Sequence, residues 1–125
     1  MITKIHHPTL GYIRGSLSES QKTVQFRNIK FANIPGRWQD PVLASDRLSP
    51  DEFDATRFGP CCPQKETGLK FDLGLIGDVH LEHDEIPQSE LECLNLVITV
   101  PQMDSVPKAQ RLPVMVWYVT CKIHN

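Results

Sequence analysis

Apolar positions in this chain are spaced in two ways, and the spacing predicts which segments are half exposed and which are covered. Residues 23 to 31, TVQFRNIKF, place Val24, Phe26 and Ile29 roughly in step as inward positions, and residues 9 to 17, TLGYIRGSL, carry Leu10, Tyr12 and Ile13 between two glycines. Two half-apolar strands joined by the polar turn SESQK predict an N-terminal antiparallel hairpin, since a short loop costs little to close. Residues 90 to 101, ELECLNLVITVP, and 111 to 118, RLPVMVWY, predict strands of another kind. Val114, Met115, Val116 and Trp117 are apolar at every position, so both faces expect cover from other layers.

Between these strands the pattern is irregular. Pro35, Gly36 and Pro41 interrupt residues 32 to 43, where Trp38 is expected to plug the core edge, and Trp117 is read in the same way. Ser49 as an N-cap and Pro50 behind it predict at most one helical turn over SPDEF, residues 49 to 53. Residues 63 to 89 hold three glycines and many charges without a sustained period, which predicts a long surface loop. Only eight residues follow Trp117, too few for a covering helix, so the chain reads as interrupted.

Composition then removes several classes of function. A net charge of −2 with Lys and Arg spread along 125 residues leaves no basic stripe for phosphates, so no nucleic-acid partner is expected. Neither a signal peptide nor a membrane-length segment is found, so no membrane partner is expected and a cytoplasmic chain is the default expectation. The four cysteines, Cys61, Cys62, Cys93 and Cys121, lack C-x-x-C spacing, which argues against zinc. His80 and His83 with Glu82, Asp84 and Glu85 can be drawn as a metal site, but their glycine- and proline-flanked stretch favours solvated charge on a loop. His6 and His7 read as an exposed tail. No cofactor and no metal are expected.

Four stretches carry a resemblance. FGPCCPQ at 58 to 64 and IPQSELECLNLVITVP at 86 to 101 resemble the GPxCPQ and E-[DE]-C-L-x-L-N elements of the type-B carboxylesterases, serine hydrolases that include cholinesterases and fungal lipases. TVQFRNIKFANIPGR at 23 to 37 resembles that family's F-x-G-I-P-Y-A segment, and RLPVMVW resembles the strand leading to its oxyanion hole. IPQSELECLNL is most similar to filamentous-fungal members. Asn28 stands where the family has Gly, Lys30 where it has Pro and Val97 where it usually has Asn. If the glycine position needs positive φ, Asn is the least costly replacement.

The resemblance implies an α/β-hydrolase fragment, mostly β as it stands, with an N-terminal antiparallel hairpin, a long loop, two central-sheet strands and few or no helices. It also implies a disulfide between Cys62 and Cys93, with a reduced buried pair as the alternative. Residues 1 to 117 are expected to be the N-terminal part of the esterase domain, and 118 to 125 a tail outside the family pattern. The codons for Trp117, Tyr118 and Val119 must contain G-T-A-Y-G-T, the form of an intron donor, so the tail is read as translated intron. Acyl transfer in this family needs G-x-S-x-G, a His base and an acid. No Ser here has Gly two positions before it, so no catalytic residue is assigned and no esterase activity is expected from the chain as written. The alternative is a non-catalytic β-rich binding protein that associates through exposed strand edges.

Overall fold

A computed structural model of the chain describes residues 1–20, 22–44, 52–64, 87–102 and 111–117. Among these the structure is strands and loops, with no helix. The strands are β1 (Ile2–His7), β2 (Gly11–Leu17), β3 (Thr23–Lys30), β4 (Ala32–Asn33), β5 (Val42–Leu43), β6 (Glu52–Asp54) and β7 (Asn95–Pro101). Five form one sheet in the order β1-β2-β3-β7, with β6 paired to β2, while β4 and β5 form a separate antiparallel pair.

The hairpin is β2 and β3. It is paired only at its closed end, where Ser16 faces Gln25 and Leu17 faces Val24. The turn is tied by Ser18 N–H donating to the Thr23 carbonyl at 2.9 Å and by Thr23 N–H donating to Ser18 Oγ at 3.3 Å. Beyond that the two strands splay, and β6 enters beside β2 in parallel, Tyr12 against Glu52 and Ile13 against Phe53. Ala55 completes the wedge: its N–H donates to the Arg14 carbonyl at 2.8 Å, and its carbonyl accepts from Arg27 N–H at 2.9 Å. Glu52 and Phe53 are therefore strand, where a helical turn was expected. The splay leaves backbone groups of β2 and β3 needing partners, and this need outweighs a weak local capping preference. Ser49 and Pro50 lie outside the described residues.

β1 is an addition to the sequence reading. Its residues run antiparallel to β2 from Ile2 against Ser16 to His7 against Gly11, so His6 and His7 are exposed on a strand and do not form a tail. The turn back into β2 is held by His7 Nδ1, which accepts from Leu10 N–H at 3.2 Å. Ile5 packs on the core. One apolar residue between Lys4 and His6 is too little alternation to mark a strand by pattern alone.

β7 lies antiparallel to β3, and here the irregular spacing of Val24, Phe26 and Ile29 finds its cause. Phe26 faces Ile98 and Ile29 faces Leu96, three steps on β3 against two on β7, which is a β-bulge. Asn28 sits inside it with φ of 58°, the left-handed conformation in which Asn tolerates a glycine position. The extra residue turns Ile29 back to the core face. Val24, Phe26, Ile29, Ile13 and Ala55 form the core, flanked by Leu10, Leu17, Phe53 and Val100. Tyr12 is on the other face, its ring 4.7 Å from that of His6 and 4.5 Å from Lys4 Nζ.

Two expectations about tryptophan are overturned. Trp38 is 96% exposed, because it holds the third position of a tight turn closed by Gln39 N–H on the Gly36 carbonyl at 3.1 Å. Its φ of 67° is what a type II turn needs there, and it directs the indole outward. Trp117 is 80% exposed and residues 111–117 are not a strand, so only one of the two expected central-sheet strands forms. An all-apolar strand is stable only between pairing partners and covering layers, and the described residues provide neither to 111–117.

The charged outer face of β6 carries a pH dependence. Asp54 Oδ1 accepts from Thr56 Oγ1 at 2.7 Å and Thr56 N–H at 3.1 Å, and Oδ2 accepts from Arg14 Nη2 at 2.9 Å. The Thr56 bonds, with help from the Arg14 charge, lower the Asp54 carboxyl below its ordinary value of 3.8. A depressed folded pKa contributes stability that is complete above the unfolded value and lost as pH falls through the folded one. Acid unfolding is therefore expected to lose part of its slope below pH 3.8 in Asp54→Asn, measured against wild type by circular dichroism. With the side chain 45% exposed, the change is expected to be small.

Candidate functional site

Three of the four resembling stretches meet at one junction. The segment FGPCCPQ is laid beside the entry to β7 by an isolated bridge between Cys61 and Gln88. Cys61 N–H donates to the Pro87 carbonyl at 2.9 Å, and the Cys61 carbonyl accepts from Ser89 N–H at 3.0 Å. Gln88 adds a side-chain bond, its Oε1 accepting from Gln64 N–H at 2.9 Å. Asn95, the first residue of β7, ties the same segment from the other side, its Nδ2 donating to the Pro60 carbonyl at 2.9 Å and the Cys93 carbonyl at 3.3 Å. Gly59 passes close under the Asn28 and Asn95 side chains. The bulge in β3, the GPxC element and the cysteine turn before β7 are thus packed against one another.

Cys62 and Cys93 come together at this junction as free thiols, hydrogen-bonded side chain to side chain. The Cys93 bond favours the protonated form, and with partial burial and the neighbouring Cys93 charge it pushes the Cys62 thiol above its ordinary 9.0. Cys93 Sγ also lies 3.8 Å from the Glu90 carbonyl. Cys121 and the His80 to Glu85 stretch lie outside the described residues. Within the described residues no group of three or more His, Cys, Asp or Glu side chains is placed to hold a metal. Among the described residues, too, no helix is long and apolar enough to cross a membrane.

Ion pairs around the junction were not visible in the sequence. Arg37 grips Glu90 with both ends of its guanidinium, Nε to Oε2 at 2.8 Å and Nη2 to Oε1 at 2.6 Å, and Lys30 pairs with Glu92. Arg27 stacks over the Phe58 ring at 4.0 Å while Nη1 donates to the Thr56 carbonyl at 3.3 Å. These partners stand roughly 30 to 60 residues apart along the chain, and a single sequence contains no signal that pairs them. Ser16 Oγ, on β2, donates to the Thr56 carbonyl at 3.5 Å, and Ser89 Oγ accepts from Glu92 N–H at 3.1 Å in the turn before β7.

The comparisons agree with this geometry. The model of the Carboxylesterase family matches residues 3–120. Lipase 3 of Yarrowia lipolytica is 37% identical over 106 residues, covering 84% of this chain and 20% of that protein. Lipase 1 of the same organism is 40% identical over 92 residues, covering 74% of this chain and 16% of its own length. Para-nitrobenzyl esterase of Bacillus subtilis is 29% identical over 94 residues, again 16% of its length. A solved structure of PNB esterase superposes with a TM-score of 0.51 at 26% identity, over 78% of this chain and 18% of that one. The chain thus spans a fifth or less of the proteins it matches. Because the family match takes in all three stretches that build the cysteine junction and runs along nearly the whole sequence, the chain belongs to the carboxylesterase family.

Proposed function

We propose that this chain is the N-terminal portion of a serine carboxylesterase acting on small-molecule carboxylic esters, and that the 125 residues are catalytically incompetent alone. The family match over residues 3–120 carries the reading. The incompetence follows from the sequence: the nucleophile elbow G-x-S-x-G is missing, and the residues after Trp117 are Tyr118, Val119 and Thr120 where the family continues into a glycine loop. Loss of a single oxyanion donor costs about 3 to 4 kcal/mol of transition-state stabilisation, and here the loop and the nucleophile are missing together. The purified chain is expected to hydrolyse p-nitrophenyl butyrate at the buffer rate. Turnover that persists in separately purified batches and is titrated by a fluorophosphonate would overturn the proposal.

The domain boundary after Trp117 belongs to the same proposal. Transcripts sequenced across the Trp117 codon are expected to include a spliced form reading into His-Gly-Gly and later G-x-S-x-G. Under oxidising conditions Cys62 and Cys93 are expected to join, closing a loop of about 30 residues worth roughly 3 to 4 kcal/mol in the chain-entropy model.

A second reading rests on the exposure of Val114, Met115, Val116 and Trp117, each 80 to 86% accessible. Self-association through this stretch would cover it. Val114→Lys with Val116→Lys is expected to move the chain toward monomer on size exclusion; an unchanged elution profile rejects this route.

A further inference from the structure

Resting on the reading of this chain as an N-terminal portion, we propose that β7 is a docking seam for a separate polypeptide, the remaining four-fifths of a carboxylesterase chain. That polypeptide binds these 125 residues without a covalent link, and the complex hydrolyses esters. β7 pairs with β3 along one side, and among the described residues no strand lies on its other side. Its seven residues, Asn95–Pro101, therefore offer a row of backbone donors and acceptors to an incoming strand.

Both faces of β7 are open as well. Leu96 and Ile98 stand opposite Ile29 and Phe26 of the core, yet they are 44% and 40% exposed. Of the β7 residues, the core cluster takes in only Val100. Val97, which alternates with them onto the opposite face, is 45% exposed. Three consecutive apolar residues, open on two faces, suit a strand in the middle of a sheet covered on both sides.

These openings decide the kind of partner. A second copy that paired its own β7 edge to edge would extend the sheet and leave both faces wet, since the described residues include no helix to lay over them. An extended peptide would fill the edge and leave the faces wet in the same way. The occupant has to bring an edge strand and a covering layer for each face together. The unmatched part of Lipase 3 has the length to do so, because the stretch matched here is 20% of that protein. The nucleophile elbow that this chain lacks belongs to the partner, so hydrolysis reports assembly.

The test coexpresses the full chain, carrying an affinity tag, with Lipase 3 of Yarrowia lipolytica shortened by its matched N-terminal portion. A single-chain chimera of residues 1–117 and the same Lipase 3 remainder is made in parallel, with intact Lipase 3 as the activity standard. The two parts are expected to copurify in equal amounts and to hydrolyse p-nitrophenyl butyrate at least tenfold faster than either part alone. Val97→Lys changes a side chain exposed in the free chain, so the circular dichroism of that chain is expected to stay the same while copurification falls at least tenfold. Parts that do not copurify, or a complex without hydrolysis, overturn the inference. The chimera then decides whether the N-terminal reading falls with it: an active chimera leaves that reading standing, and an inactive one removes both. Copurification that survives Val97→Lys, or a homodimer through β7 in place of the complex, also overturns the seam.

Discussion

Phe26→Ala is expected to destabilise the fold by about 3 to 5 kcal/mol, the range for removing a buried phenylalanine, and so to lower the urea midpoint followed by circular dichroism. Phe26 is 4% exposed in the middle of β3 and lies across Gly15 of β2. A Cβ added at Gly15 would stand 2.6 Å from Phe26 Cε1 and 3.0 Å from the Gln25 carbonyl, so the ring occupies the space that the missing side chain leaves. Gly15→Ala alone is expected to cost about 1 to 3 kcal/mol as overpacking. In the Phe26→Ala background the same change is expected to cost less, because its main obstacle is gone. Full additivity of the two would reject the packing argument. Among the described residues the core cluster has only five buried members. Losing its largest is therefore a large share of the stability a domain of this size has to lose.

What the sequence made legible follows from where the information lies. The hairpin and its inward residues Val24, Phe26 and Ile29 were readable because strand alternation and turn chemistry are local. The positive φ at Asn28 was readable because the resemblance marks the position as glycine and Asn is the residue that tolerates it. The meeting of Cys62 with Cys93 came from the resemblance, not from spacing. The wedge of β6 into the splayed hairpin was invisible for a different reason. It depends on which backbone groups of β2 and β3 stay unpaired, and that depends on how far the hairpin zips. Trp38 and the 111–117 stretch failed in a third way, since hydrophobicity states that a residue gains by burial and not that a partner exists to bury it. The Arg37 grip on Glu90 is geometric and long-range, and no property of either residue announces it.

The contact of Asn28 with Gly59 supports the second large prediction, and it links the family's two glycine positions. Asn28 Oδ1 is buried and makes no hydrogen bond. A Cβ on Gly59 would stand 2.7 Å from Asn28 Cγ and 2.8 Å from Asn95 Nδ2. Gly59→Ala is expected to cost about 1 to 3 kcal/mol through this overpacking. Asn28→Gly keeps the left-handed conformation without strain and removes a buried acceptor without a partner, worth about 1 to 3 kcal/mol. Against that stands the greater freedom of glycine in the unfolded chain, about 0.4 to 1 kcal/mol, so the single variant is expected to be neutral or slightly more stable. The double variant is expected to recover more than half of the Gly59→Ala loss, since only the Asn95 contact is left. Urea midpoints of the four proteins measure the coupling directly. A coupling below about 0.5 kcal/mol, the limit for independent sites, would mean that Asn28 and Gly59 do not share the space. It would then leave the close passage of the GPxC segment under the β3 bulge to Asn95 alone.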